Sequence, residues 1–304
     1  MLFIALMPVL LFFVDGLGIG ARGPFNPLDG LDDAAAPLAI FQGEEAAIIH
    51  EGLLVRTDAC LGVEGRPQSA SGQTTILTGI NAPEQLGYHK QGFPNQALRE
   101  IIGEHSIFLQ LKRAGVGPNA FANAYTGRFF ETRPRWVSAT TAAVEAAGMT
   151  FRDLDDLRAG RAVFMDFTNA FLIERGEEVA PRAPEEAGEV LARIVAEHRF
   201  TLYEYFITDK IGHAQDFEAA RSYLQSLARY VRAVLARLDL ATTTVILTSD
   251  HGNIEDLSVR NHTLNEVPTL VWGAARERVA GRVRSLADIT PVIIEVLTEE
   301  MVTD

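Results

Sequence analysis

The chain begins with its most apolar stretch, MLFIALMPVLLFFV. From Val9 to Val14 every position is apolar, without the alternation of a half-exposed strand. An unbroken run of this length predicts a strand buried on both faces, as in a parallel sheet. Similar runs recur in FTLYEYFIT, which stops just before Asp209, in TTTVILTSD, which stops at Asp250, and in VPTLVWG. NAFANAYT reads as a further strand. Between these runs the apolar spacing changes to that of helices. NQALREIIG and SIFLQLKRAG are predicted helices, the second ending at Gly115. APEEAGEVLARIVAEH places Leu191, Ile194 and Val195 on one face, and DFEAARSYLQSLARYVRAVLARL predicts a long helix. SLADITPVIIEVL predicts a C-terminal helix with Pro291 near its start. SASGQTTILTG reads as a loop entering a helix.

Strands alternating with helices predict an α/β fold: doubly wound, with a mainly parallel central sheet and helices on both faces. Residues 1–304 read as one core domain. The stretch from about 115 to 176, with TGRFFETRPRW and FRDLDDLRAGRAVFMDF, breaks the rhythm and reads as a small excursion or minimal cap.

Composition narrows the choices. The 304 residues are 47% hydrophobic and carry a net charge of −13. That field disfavours a broad nucleic-acid or anionic-membrane surface, though bound cations would reverse the sign locally. The single cysteine, Cys60, excludes an intramolecular disulfide framework. The apolar start lacks a basic flank and a cleavage site, is short for a membrane span and contains Pro8. It is read as a buried strand of a cytoplasmic protein, with Met7 an alternative start to Met1.

The chemistry begins at VDGLGIGAR, directly after the first strand. Gly16, Gly18 and Ala21 fit G-x-G-x-x-A, a dinucleotide-binding turn, but Pro24, Pro27 and further glycines follow where that motif needs a helix. The other reading makes Asp15 the functional group. It is one of four strand-end fragments rich in metal-ligand residue types: VDG (Asp15), TDKIGHAQD (Asp209, His213), TSDHGN (Asp250, His251) and NHTLNEVP (His262). Carboxylates and imidazoles together suit Zn²⁺ or Mn²⁺. Each fragment alone is as consistent with a solvated loop. Their joint placement beyond strand ends points to a crevice site. In PQSASGQTTILTG, Ser69 precedes a helix start, where peptide N–H groups favour an anion. It reads as an activated nucleophile or as a simple N-cap, a role that Ser71 or Thr74 could also fill. His50, His89, His105 and His198 match no ligand pattern, and Trp136 and Trp272 read as core or pocket-wall residues.

DGLGIG, SASGQTTILTG, DKIGH, SDHGN and HTLNEVP, in this order and spacing, resemble the alkaline phosphatase superfamily. The likeness is to its cofactor-independent phosphoglycerate mutase and phosphopentomutase branch and covers roughly residues 8–90 and 200–298. The resemblance implies two divalent ions, Zn or Mn with Mg as a further choice. One would be held by Asp209, His213 and His262, the other by Asp15, Asp250 and His251 with Ser69. It also implies a phosphoserine intermediate on Ser69 and a small phosphorylated substrate. Two departures stand out. Gln73 occupies a position that is His in the mutases. Only about 140 residues separate Ser69 from Asp209, too few for the mutases' large inserted domain. Without an enclosure that excludes water, hydrolysis of a phosphate mono- or diester is expected over mutation. A mutase is the alternative, and a non-catalytic binder or a dinucleotide-dependent oxidoreductase the more distant ones. Candidate substrate contacts are Lys210, Arg260, Gln73, Arg22 and Asn26, with Arg128, Arg133 and Arg135 in the irregular middle.

Overall fold

The computed structural model describes residues 7–31, 37–46, 48–132 and 134–299, so Met1 and Arg133 lie outside the described residues. Six strands form one sheet: β1 (Val9–Val14), β2 (Leu53–Thr57), β3 (Asn119–Phe121), β4 (Phe200–Tyr205), β5 (Thr244–Thr248) and β6 (Val267–Gly273), in the order β2-β6-β5-β1-β4-β3. β1 is central and pairs in parallel with β4 and β5, and β3 extends the parallel set. β6 runs antiparallel to both β5 and β2.

Every residue of β1 is buried, and its side chains divide between two cores. Leu10, Phe12 and Val14 join one cluster with Leu191, Ile194, Leu227 and Val231, from the helices Pro184–Ala196 and Phe217–Arg237. Val9, Leu11 and Phe13 join another with Ile76, Phe108, Val144 and Ile293, from helices on the opposite face. An unbroken apolar strand is what two covered faces require. Phe12 lies 5.1 Å from Tyr203 and 5.5 Å from Tyr230, ring centre to ring centre. Each such buried ring contributes about 2 kcal/mol by removing apolar area from water.

The structure departs from the sequence reading in several places. β2, absent from the predicted strands, has an apolar run of only three residues, Leu53–Val55; it is a half-buried edge strand whose Arg56 donates to the carbonyls of Phe41 and Glu44. β3 holds three residues, shorter than NAFANAYT suggests, because the chain then leaves β4 for single bridges to Val163 and Arg152. No α-helix follows Gly16–Ala21 among the described residues until Ser69–Thr78, so the dinucleotide-turn reading fails. Ser69 is the first helical residue rather than the one before it; Gln68 holds the cap position without a side-chain bond. No described helix is long and apolar enough to cross a membrane.

Candidate active site

Asp15 directly follows β1. Asp209 and His213 sit one turn apart on the helix Ile207–Ala214, which starts two residues beyond β4. Asp250 and His251 follow β5, and His262 lies in the loop leading to β6. Because β4, β1 and β5 are adjacent and parallel, their carboxyl ends deliver these groups side by side.

Asp209 Oδ1, His213 Nε2 and His262 Nε2 form a near-equilateral triangle with sides of 3.4, 3.4 and 3.2 Å. Three ligands of a tetrahedral ion with bonds of ~2.0–2.1 Å stand ~3.3 Å apart. His213 Nδ1 pairs with the Arg260 carbonyl at 2.8 Å, and His262 Nδ1 with the Pro67 carbonyl at 2.9 Å. Each Nδ1–H is thus committed as a donor, which leaves the Nε2 lone pair for a metal.

The second group surrounds His251. Its Nε2 lies 3.0 Å from Ser69 Oγ, 3.3 Å from Asp15 Oδ1 and 3.5 Å from Asp250 Oδ2. Ligand atoms of Asp15, Asp250 and His251 all fall within 4.8 Å of one another, as do those of Asp209, His251 and His262. The His251 ring stacks on His262 at 3.6 Å, which places it between the two groups.

The electrostatics call for cations. Burial, together with Asp250 and Asp209 nearby, drives Asp15 well above the usual carboxylate range. Burial and Asp209 push Asp250 up to about 7. Burial and the neighbouring His262 bring His251 down to about 3. Burial opposes ionisation of Asp209 too, but His262, His251 and Asn253 outweigh it and lower this carboxyl to about 2. Asp15 Oδ1 is buried without a hydrogen-bond partner. A buried carboxylate oxygen left unpaired is costly, and a divalent cation would remove that cost. The donor set therefore fits metal ions.

Neighbouring polar groups hold the ligands in place. Gln73 Nε2 donates to Asp15 Oδ2 at 3.1 Å and to Asp250 Oδ2 at 3.2 Å. It therefore bridges two candidate ligands while also lining the larger cavity. Asn253 Nδ2 donates to Asp209 Oδ1 at 2.7 Å. Glu255, buried, accepts from the backbone N–H of Gly18 and Asn253 and from the side chains of Thr263 and Asn265. It ties three of the four fragments together. Nothing local marks it, because three of its four partners are 8 to 237 residues away. Gly16 has φ +74°, and a Cβ there would stand 2.9 Å from the Asp209 backbone. A Cβ on Gly18 would strike the Glu255 carboxylate. These glycines serve close packing of the ligand loops.

Two cavities meet at Ser69, Gly92 and Asp209. The larger, about 830 Å³, is bounded by Asp15, Gln73 and Lys210 and by much of the irregular segment from Phe121 to Arg175. The smaller, about 470 Å³, is polar and includes Arg66, Gln91, Asn261, His213 and His262. Arg66 carried no signal in the sequence, since a lone arginine in a loop fits no pattern.

Arg22 is half exposed and ion-paired with Asp29 and Glu44, and Asn26 is bonded within its own loop to Ala21 and Leu28. Neither lines either of these two cavities, nor does Arg260, which offers His213 its carbonyl. Arg128 and Arg135 are likewise absent from the lining, and Arg135 stacks over Trp136 at 5.3 Å. His50, His89, His105 and His198 lie outside both ligand groups. Trp272 is fully buried, whereas Trp136 lines the larger cavity.

Residues 177–301 match the family model of the Metalloenzyme superfamily. Curated relatives include the 2,3-bisphosphoglycerate-independent phosphoglycerate mutase of Dinoroseobacter shibae, 30% identical over 122 residues, covering 38% of this chain and 24% of the relative. The mutase of the same name from Halobacterium salinarum is 30% identical over 156 residues, covering 46% and 30%. The chain thus spans roughly a quarter to a third of the length of these relatives. Among solved structures, the PH0037 protein from Pyrococcus horikoshii superposes with a TM-score of 0.57 at 16% identity, covering 97% of each chain. A cold-active alkaline phosphatase from Shewanella sp. superposes with a TM-score of 0.52 at 11% identity, covering 96% of this chain and 100% of the other. At such identities the superpositions speak for the fold. The C-terminal part of the chain, residues 177–301, is thus similar to the Metalloenzyme superfamily, and the fold as a whole is similar to that of an alkaline phosphatase.

Proposed function

We propose that this protein is a two-metal phosphoryl-transfer enzyme that hydrolyses a phosphate mono- or diester through a phosphoserine on Ser69. The observation that carries the reading is the convergence of both ligand groups on one hydroxyl. Ser69 Oγ lies 3.0 Å from His251 Nε2, the ring between the two groups. Asp209, His213 and His262 would hold one divalent ion, Zn²⁺ or Mn²⁺, and Asp15, Asp250 and His251 the other. Bound there, such ions offset phosphate charge and favour the serine alkoxide over the hydroxyl.

Ser69 opens the helix Ser69–Thr78, whose N-terminal dipole favours an anion beside it. Its oxygen forms the new bond to phosphorus as the bond to the ester oxygen breaks, and the alcohol leaves carrying a proton. Water then cleaves the serine ester, restoring the serine and releasing phosphate from a monoester substrate or a phosphate monoester from a diester. Lys210 lines the larger cavity and Arg66 the smaller, where each can pair with a phosphate oxygen. Asn253 and Gln73 keep the carboxylates oriented.

A phosphomutase is the second reading, favoured by the names of the curated relatives. The internal spacing from Ser69 to Asp209 argues for hydrolysis, because it leaves no room for a large enclosing domain. The test is a screen of phosphate mono- and diesters with Zn²⁺, Mn²⁺ and Mg²⁺ supplied in turn, with Ser69→Ala as control. Free phosphate released by the wild type alone supports hydrolysis. Phosphate migration within a labelled substrate, without free phosphate, would establish the mutase instead.

A further inference from the structure

The larger cavity has a wall that the metal centre does not use. Beyond Asp15, Ser69 and Asp209, with Lys210 and Arg175 also lining it, one side of the cavity is aromatic: Phe121, Tyr125, Phe129 and Phe164, with the exposed rings of Phe93 and Trp136. Phe93 is 52% and Trp136 49% exposed, and both line the cavity, Trp136 with the guanidinium groups of Arg99 and Arg135 over its ring. The wall is preformed: Tyr125 and Phe129 lie 4.3 Å apart, and Phe151 packs behind them at 4.9 and 5.3 Å. The Tyr125 hydroxyl is occupied by Thr141 at 2.7 Å, which fixes the ring.

One buried carboxyl belongs to the same wall. Glu204 comes from β4, and its backbone is clamped by Asn123, which donates to its carbonyl at 2.8 Å and accepts from its N–H at 2.9 Å. Burial pushes this carboxyl up to about 7. The proposed phosphoryl transfer gives it no task.

A polyhydroxylated alcohol would have to strip its hydroxyls of water against these rings. A ring-bearing alcohol would instead bury apolar area against a ready surface, in a volume typical of small-molecule sites. We infer that this cavity is the leaving-group subsite, shaped for phosphate esters of ring-bearing apolar alcohols, with Glu204 accepting a hydrogen bond from a donor on the ring. The inference rests on the phosphoryl-transfer reading above.

Three alkyl esters of similar leaving-group basicity test it: glycerol 3-phosphate, 2-phenylethyl phosphate and 2-(4-hydroxyphenyl)ethyl phosphate. The metal-loaded enzyme is expected to favour 2-phenylethyl phosphate over glycerol phosphate about tenfold or more in kcat/KM, and the hydroxyphenyl ester further still. Phe93→Ala with Trp136→Ala should shrink the first ratio, and Glu204→Leu should remove the second increment. Independently of turnover, 2-phenylethanol should quench the fluorescence of Trp136 in the metal-free protein, and Trp136→Phe should abolish that response. Cleavage of all three esters at equal efficiency, or absence of quenching, overturns the subsite alone. Failure to cleave any ester, glycerol phosphate included, overturns the phosphoryl-transfer reading and with it the leaving-group role.

Discussion

Ser69 owes its position to two things its own segment does not reveal: the start of a helix and the imidazole of His251, 182 residues away. Ser69→Ala removes the proposed attacking oxygen and leaves the Asp and His donors in place. Turnover of phosphate esters should fall by at least ~10³-fold, with no phosphoserine detectable by mass spectrometry of quenched reactions. Glu204 offers a separate test. Its pKa is raised from 4.5 to about 7, chiefly by burial, so the folded state holds a proton that the unfolded chain has released. The acid form costs nothing extra below the unfolded value, and stability is lost as pH rises from about 4.5 through 7. A shift of this size corresponds to roughly 3 kcal/mol. In the metal-free protein, Glu204→Gln should match wild type near pH 4.5 and exceed it in Tm increasingly up to about pH 7.5. A gap that does not change with pH would show that Glu204 is not buried as an acid.

At the scale of elements, the site is assembled where parallel strands end. β1, β4 and β5 were legible because strands buried on both faces carry unbroken apolar runs, and their ligands stand within a few residues of the last apolar position. β2 was not legible, since an edge strand needs no apolar run and its pairing with β6 is decided more than 200 residues away. Glu255 shows the same limit: nothing local marks it, yet it fastens Gly18, Asn253, Thr263 and Asn265 together. Gly18→Ala would drive a methyl group into Glu255. Metal affinity, measured by competition with a chelating dye, should weaken by about 10–100-fold, the usual scale for disturbing groups that orient ligands. Unchanged affinity would mean that the loop shifts freely and that Glu255 does not set the ligand geometry.

For the whole molecule, the cluster of Asp15, Asp209 and Asp250 couples stability to metal and pH. Without metal, Asp15 and Asp250 are held above their ordinary values, so the folded state keeps protons that the unfolded state has lost. Their contribution to metal-free stability therefore falls as pH rises from near 4 through about 7. Metal must displace those protons, so its affinity moves the other way and weakens as pH drops below about 7. The loss of Tm on adding a chelator should be small at pH 5 and large at pH 8. At one hundred times Kd a bound ion adds about 2.7 kcal/mol. A chelator effect that does not depend on pH would remove the buried carboxylates from the metal site.

The sequence by itself determined the α/β class, the central buried strand and the identity of the ligand-type residues. Each of these is recorded within a few neighbouring positions, as an apolar run or a carboxylate beside a glycine. Only the tertiary structure decided which of them meet. It set His251 between the two ligand groups and made Gln73 a bridge between Asp15 and Asp250. It withdrew Arg22 and Asn26 into their own loop and made the unreadable middle segment the aromatic wall of the cavity. Those outcomes depend on contacts between residues far apart in the chain, and such contacts exist only once the sheet has brought its strand ends together.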